Sequence, residues 1–122
     1  MKRVLPKGER LIMESWCKYI GGHSKLKERA SGFLLLTNKR IVFESLVGAP
    51  FSKRPEVTMD IPLYAVKEMK LLEPGFIRKS VLTIVYVSPK ESSKEEPSFL
   101  VKDYEGWVNA LNKIKLGGIS LV

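Results

Sequence analysis

The chain has 122 residues, 44% hydrophobic and 28% charged, and its 21 lysines and arginines against 13 acidic residues give a formal net charge of +8. This length and mixture predict one globular domain with its own core and exclude intrinsic disorder and a small disulfide scaffold. The lone Cys17 cannot form an internal disulfide, which points to a reducing compartment. The longest apolar run, Phe33–Leu36, is far shorter than the roughly 20 residues that span a bilayer. We therefore expect a soluble, cytoplasmic domain.

The sequence offers little for catalysis or metal binding. His23 is the only histidine and Cys17 the only cysteine, whereas a structural zinc site takes about four nitrogen or sulfur ligands. Neither a phosphate-binding G-x-x-x-x-G-K-[ST] loop nor a dinucleotide-binding G-x-G-x-x-G turn occurs. We therefore expect no enzyme activity and no cofactor.

Hydrophobic alternation predicts strands through most of the chain. The first run alternates with period two, as a half-buried strand does. Asn38-Lys39 lies between two apolar runs and suits a tight turn, because asparagine tolerates positive φ. The predicted strands are Leu11–Tyr19, Gly32–Thr37, Ile41–Glu44, Val57–Ile61, Val66–Glu73, Val81–Val87 and Ser98–Lys102.

The pattern changes to a helix near the end of the chain. Asp103 is a good N-cap, and Gly117-Gly118 provides a stop. Seven strands and a helix predict a mainly β (α+β) fold, a seven-stranded antiparallel barrel or sandwich capped by a C-terminal helix. The apolar residues at helical spacing are Tyr104, Trp107, Val108, Leu111 and Ile114.

Several segments resemble the pleckstrin-homology (PH) superfold. Gly32–Phe43 resembles the G-x-L-x-L-T-x-x-R-[LI]-x-[FW] hairpin of GRAM, bacterial PH-like and GLUE domains, and Ile61–Val66 resembles their I-x-L-x-x-[IV] segment. Tyr19–Gly22 and Gly75–Ser80 resemble elements of the GLUE domain of an ESCRT-II subunit, which makes GLUE the closest match within the superfold. The resemblance implies a single PH-like domain over residues 1–122, with its core at about residues 8–116.

The family implies a non-catalytic adaptor at a membrane surface. Its partners would be ubiquitin or a ubiquitin-like protein, anionic phosphoinositide-like lipid headgroups, or both, and other ESCRT-type subunits if it belongs to a longer chain. A generic PH-like protein-interaction domain and a nucleic-acid binder are the alternatives. The basic segments offer few aromatic side chains for base stacking, and no RRM, KH or helix-turn-helix signature occurs, so nucleic acid is the weaker alternative.

The loops predict where an anion would bind. In an up-and-down meander the loops after strands one, three and five share an end, and here they carry more positive charge than the loops opposite. Cations gathered at one end suit phosphate. Lys27 and Arg29 share a side if the second strand begins early. The predicted anion-binding residues are Lys18, Lys25, Lys27, Arg29, Lys53, Arg54, Arg78 and Lys79.

Two other surfaces are candidates for contacts. Phe76-Ile77 lies beside Arg78-Lys79, so we expect it to enter a bilayer interface while the cations bind anionic lipid, unless Phe76 folds back over the barrel. For ubiquitin, the fifth strand offers Lys67, Met69 and Leu71 as an outward strip, unless ordinary alternation places Met69 in the core.

Overall fold

The computed structural model describes residues 5–48, 51–76, 79–114 and 119–121, a single sheet with one helix packed on it. All seven predicted strands and the helix are present, and two short strands are additional. The elements are β1 (Leu11–Gly21), β2 (Ala30–Thr37), β3 (Arg40–Val47), β4 (Arg54–Pro62), a 3₁₀ turn (Leu63–Ala65), β5 (Val66–Leu72), β6 (Ser80–Val87), β7 (Lys94–Glu95), β8 (Ser98–Val101), α1 (Tyr104–Lys113) and β9 (Ile119–Leu121).

The strand order is β4-β3-β2-β1-β8-β6-β5-β9, and β7 pairs with β6. All pairs are antiparallel except β5 with β9. Within the described residues β4 and β9 are free edges, so the sheet does not close into a barrel. The predicted mainly β, PH-like sandwich capped by a C-terminal helix is confirmed.

The β2–β3 hairpin has a clear physical basis. A Cβ added at Gly32 would lie 2.0 Å from the carbonyl oxygen of Glu44, so only glycine allows the two strands this approach. At the turn, Thr37 Oγ1 accepts hydrogen bonds from the backbone nitrogens of Lys39 (3.1 Å) and Arg40 (3.0 Å). The threonine replaces backbone partners that the turn removes.

The core lies between the curved sheet and α1. Its centre is aromatic: the rings of Phe43 and Phe99 lie 5.2 Å apart, and that of Tyr19 packs on both. Trp107 of α1 is 1% exposed and closes the core from the helix side. Asp103 starts the helix as predicted, because its Oδ1 accepts a hydrogen bond from the backbone nitrogen of Gly106 (3.0 Å).

Two of the three loops predicted to share an end do so. Tyr19 pairs with Ala30 where β1 turns into β2, and Val47 pairs with Arg54 where β3 turns into β4. Since β2 and β3 are antiparallel neighbours, the β1–β2 and β3–β4 loops lie at the same edge. We call this edge the loop end.

The prediction is wrong for the loop between β5 and β6. Ser80, the first residue of β6, pairs with Val101, which pairs with Cys17 in the middle of β1. Cys17 lies five residues before Gly22, so the start of β6 is roughly 15 Å along β1 from the loop end. The prediction assumed that loops alternate between the two ends of the sheet because consecutive strands are neighbours. β4 and β5 are not neighbours: β4 is an edge strand, whereas β5 pairs with β6 and β9.

Candidate anion-binding surface

The β6–β7 connection packs on the β1–β2 loop. Glu95 accepts hydrogen bonds from the backbone nitrogen of Ser24 (2.8 Å), its hydroxyl (2.6 Å) and the hydroxyl of Ser93 (3.0 Å). Burial acts to raise the pKa of Glu95, but the hydrogen bonds from Ser24 and Ser93 outweigh it and hold the pKa below its usual value. Lys25 forms an ion pair with Glu91.

The histidine of this loop has a structural role. Lys25 donates its backbone N–H to Nδ1 of His23 (3.1 Å), so the imidazole carries its proton on Nε2, which donates to the hydroxyl of Tyr86 (2.8 Å). The hydroxyl of Tyr19 accepts from the backbone nitrogen of His23 (2.9 Å) and donates to the carbonyl of Leu26 (2.5 Å). Burial, with a contribution from the charge of Glu95, raises the pKa of Tyr86 to about 12. These bonds fix the loop's path.

The loop end exposes cations and an aromatic residue together. Lys27, Arg29 and Lys53 are exposed and form no ion pair with a carboxylate in the described ranges. Arg54 has only a 3.9 Å contact with Glu56, and Lys25 is neutralised by Glu91. Lys27 and Arg29 were expected to share one side of β2 if that strand began early. β2 begins at Ala30, so neither residue belongs to the strand, although both are exposed.

Sequence reasoning missed Phe51, which lies in the β3–β4 loop and is fully exposed (101%). The available signal was its position, two residues before the basic pair Lys53-Arg54 in a loop rich in turn-forming residues. A fully exposed aromatic side chain next to cations is characteristic of a surface that contacts another phase or partner.

Two of the predicted residues meet elsewhere, on the outer face of the sheet. Lys18 of β1 and Lys79, just before β6, line one shallow cavity of about 100 Å³, and Lys102 after β8 completes it. We call this the lysine cavity. Its remaining lining is Trp16, Cys17, Ser31 and Leu100.

Lys102 was not among the predicted residues. Its placement depends on β8 pairing with β1 and β6, which are distant in sequence, so no local pattern reveals it. The usable signal is parity: Leu100 and Lys102 alternate with the buried Phe99 and Val101, so the lysine belongs to the outer face.

Cys17 belongs to the lining of the lysine cavity but is itself buried, with 1% of its surface exposed. Burial raises the pKa of its thiol to about 12. The thiol therefore stays protonated at neutral pH and is a poor nucleophile.

The predicted membrane contact is described only in part. Phe76 is fully exposed (105%), so it does not fold back over the core. Lys79 is also exposed. Ile77 and Arg78 lie outside the described residues.

The predicted ubiquitin-docking strip is wrong. Met69 and Leu71 are both 0% exposed and belong to the core, and only Lys67 is on the surface. A register irregularity between Val66 and Glu68 interrupts the alternation, so Lys67 and Met69 face opposite sides in spite of their spacing. The strip that the sequence offered does not exist on the folded surface.

The arginine of the hairpin motif is occupied inside the protein. Arg40 binds Glu9 through Nε (2.9 Å) and contacts Asp60 through Nη1 (2.8 Å). Glu9 also accepts from the hydroxyl of Thr37 (2.7 Å). The hydrogen bonds from Arg40 and then Thr37 hold the pKa of Glu9 below its usual value. We call this group the hairpin end, and it has no charge left for a ligand.

Comparisons with known proteins agree with this architecture. The family model of the GRAM domain matches residues 1–90. No curated protein matches the chain in sequence. The solved hSac2 domain from human phosphoinositide phosphatase Sac2 superposes with a TM-score of 0.58 at 11% identity, over 97% of this chain and 79% of that one. At this identity the likeness shows the fold alone. In the described ranges, no helix has the length and apolar character needed to span a membrane.

Proposed function

Because the chain belongs to the GRAM domain family, whose members are PH-like modules that bind membranes, lipids or proteins and are not catalytic, we propose that it binds the surface of an anionic membrane through its loop end. The observation that carries this proposal is Phe51, fully exposed beside Lys53 and next to the loop of Lys27 and Arg29.

The energetics support a reversible attachment. A phenylalanine side chain contributes about 1.5–3 kcal/mol when it leaves water for an apolar environment. Each lysine or arginine close to an anionic leaflet contributes about 1 kcal/mol. One aromatic residue and a few cations therefore give binding that depends on anionic lipid and weakens as salt screens the charges.

The β1–β2 loop is also held firmly enough to present Lys27 and Arg29. Glu95 anchors Ser24 by two hydrogen bonds, and the His23–Tyr86 bond fixes the next residue back along the loop. Preorganised loops lose less conformational entropy when they bind, so more of the contact energy appears as affinity.

Ubiquitin and ESCRT-type partners, and the closer likeness to GLUE domains, stay predictions from the sequence resemblance. Of the strip expected to receive ubiquitin, the buried Met69 and Leu71 are unavailable. The loop end has no such conflict, and this is why we favour lipid over a ubiquitin-like partner. Nucleic acid would use the same cations and is an outcome of the test below.

The test is vesicle co-sedimentation at about 0.1 M salt, with phosphatidylcholine vesicles that contain or lack phosphatidylserine. Wild-type protein should sediment only with the anionic vesicles. Phe51→Ser should weaken binding about tenfold through the lost apolar insertion, and Lys27→Gln with Arg29→Gln by at least as much through lost charge.

Matched controls separate a specific surface from general attraction. Tyr64→Ser removes another exposed aromatic (80%), beyond the far end of β4. Lys67→Gln with Lys113→Gln removes two exposed charges elsewhere. Controls that bind as weakly as the test variants would overturn the proposal. So would tight, loop-end-dependent binding to duplex DNA without vesicle binding, which would establish the nucleic-acid alternative.

A further inference from the structure

The lysine cavity is a second basic feature, on the outer face of β1, β8 and β6. Lys18 lies opposite Ser31 on one side and Leu100 on the other. The pairing of Ser80 with Val101 brings Lys79 and Lys102 side by side, one residue beyond the ends of their strands. The three ammonium groups thus come from three strands that are separate in sequence.

No ion pair in the described part of the chain neutralises these lysines. None of Lys18, Lys79 and Lys102 forms an ion pair with a carboxylate there. Like charges on neighbouring strands destabilise a sheet. An anion bound among them removes that repulsion and gains charge-assisted hydrogen bonds.

We propose that the lysine cavity binds a phosphomonoester dianion, the group that phosphorylated lipid headgroups and free phosphate share. A volume of about 100 Å³ suits one small tetrahedral anion rather than a whole headgroup. Lysines contact phosphate as point charges, and the hydroxyl of Ser31 is a further donor on the cavity wall. Three cations match a dianion better than the single charge of a phosphodiester or carboxylate.

The neighbouring loop gives this site access to a lipid surface. Phe76 is fully exposed three residues before Lys79, in the loop that leads into β6. Its insertion would bring the β5–β6 loop to the level of the headgroups, where a phosphomonoester is within reach of Lys79. The inference rests on the proposed function when the anion is a lipid, but the cavity's affinity for the anion itself does not.

The first experiment is titration of the whole chain with inorganic phosphate, followed by amide and indole NMR signals at constant ionic strength. The indole signal of Trp16 and the amides of Ser31 and Lys102 should shift. The buried Trp107 (1% exposed) supplies an internal control that should not move. Lys79→Gln and Lys102→Gln should each weaken binding about tenfold, whereas Lys113→Gln, on the exposed surface of α1, should not.

The second experiment identifies the source of the anion. Vesicles containing phosphatidylinositol 4-phosphate are compared with vesicles of equal surface charge made with phosphatidylserine. A preference for the phosphomonoester that Lys102→Gln abolishes assigns the site to lipid headgroups. Equal vesicle binding with phosphate shifts retained assigns it to free phosphate.

The inference is overturned if phosphate moves none of these signals and the vesicles show no preference. It is also overturned if Lys113→Gln weakens phosphate binding as much as Lys102→Gln does. Phe51→Ser separates the two proposals, because it should reduce attachment to phosphatidylserine vesicles and leave the phosphate shifts unchanged. The vesicle assay therefore tests the loop-end proposal and the phosphate titration tests the lysine-cavity proposal, so one can fail without the other.

Discussion

The hairpin end and the lysine cavity both contain cationic side chains, but of the two only the hairpin end pairs its cation with carboxylates in the described residues. Arg40 lies between Glu9 and Asp60, and the side chain of Glu9 is 3% exposed. The three lysines of the cavity have no such partners in the described residues. A cation that the fold has already paired stabilises the fold, whereas a group of cations left unpaired is available to a ligand. Net charge alone does not separate these roles.

The largest effect that tests this contrast is on stability at the hairpin end. Arg40→Gln leaves the nearly buried carboxylate of Glu9 without its charged partner, and we expect the free energy of unfolding to fall by about 2–3 kcal/mol. Urea denaturation measures it. The control Arg54→Gln breaks an exposed 3.9 Å contact with Glu56 and should change stability by less than about 0.5 kcal/mol. Equal losses in the two variants would contradict the contrast.

A smaller effect concerns the anchor of the loop end. Glu95→Gln replaces a carboxylate oxygen that accepts hydrogen bonds by an amide that donates, and should lower the free energy of unfolding by about 1–2 kcal/mol at neutral pH. The folded pKa of Glu95 is lowered, so its stabilisation is present above the unfolded pKa of about 4.3 and is lost as pH falls through the folded pKa.

The free energies of unfolding of wild type and Glu95→Gln, measured by urea denaturation, should therefore converge as the pH falls through the lowered folded pKa of Glu95. The exposed neighbour Glu96 provides the control, since Glu96→Gln should follow wild type throughout. If the free energies of unfolding of wild type and Glu95→Gln differ by the same amount at every pH, the charge of the carboxylate is not what anchors the loop.

The smallest effect distinguishes the cavity lysines from Arg40. Without an anion, Lys102→Gln should leave the free energy of unfolding unchanged or raise it by up to about 0.5 kcal/mol, because it relieves repulsion. In phosphate buffer wild type should be the more stable of the two, because the bound anion stabilises only the intact site. Thermal denaturation in buffers with and without phosphate, at matched ionic strength, measures both. A loss of stability in both buffers would mean that Lys102 is structural.

Local patterns predicted the local parts of this molecule. The β2–β3 hairpin, the seven main strands and the Asp103 cap were readable because turn chemistry, alternation and helical spacing act over a few residues. The strand ends were less readable, since β3 and β4 are both longer than predicted. β9 was missed, since its parallel pairing with β5 joins segments that are distant in sequence. The shared-end prediction failed for a similar reason: it assumed that consecutive strands are neighbours, and β4 and β5 are not.

At the candidate site, too, local features were predictable from the sequence and features that depend on distant strand pairings were not. The exposed cations of the loops were predictable from composition, but the meeting of Lys18, Lys79 and Lys102 required the pairing of β1, β8 and β6. Met69 and Leu71 were expected on a surface strip, but the alternative of ordinary alternation holds and both are buried, while a register irregularity between Val66 and Glu68 leaves Lys67 exposed at the same spacing.

The buried, protonated thiol of Cys17 also makes the protein convenient for spectroscopy. Thiolates attack thiol-reactive dyes, and the Cys17 thiol is kept from doing so both by burial and by its pKa of about 12. A cysteine introduced by Phe51→Cys or Phe76→Cys would then take up a maleimide fluorophore selectively in the otherwise native background. An environment-sensitive dye at each position would report directly which of the two tips enters the hydrocarbon of a vesicle.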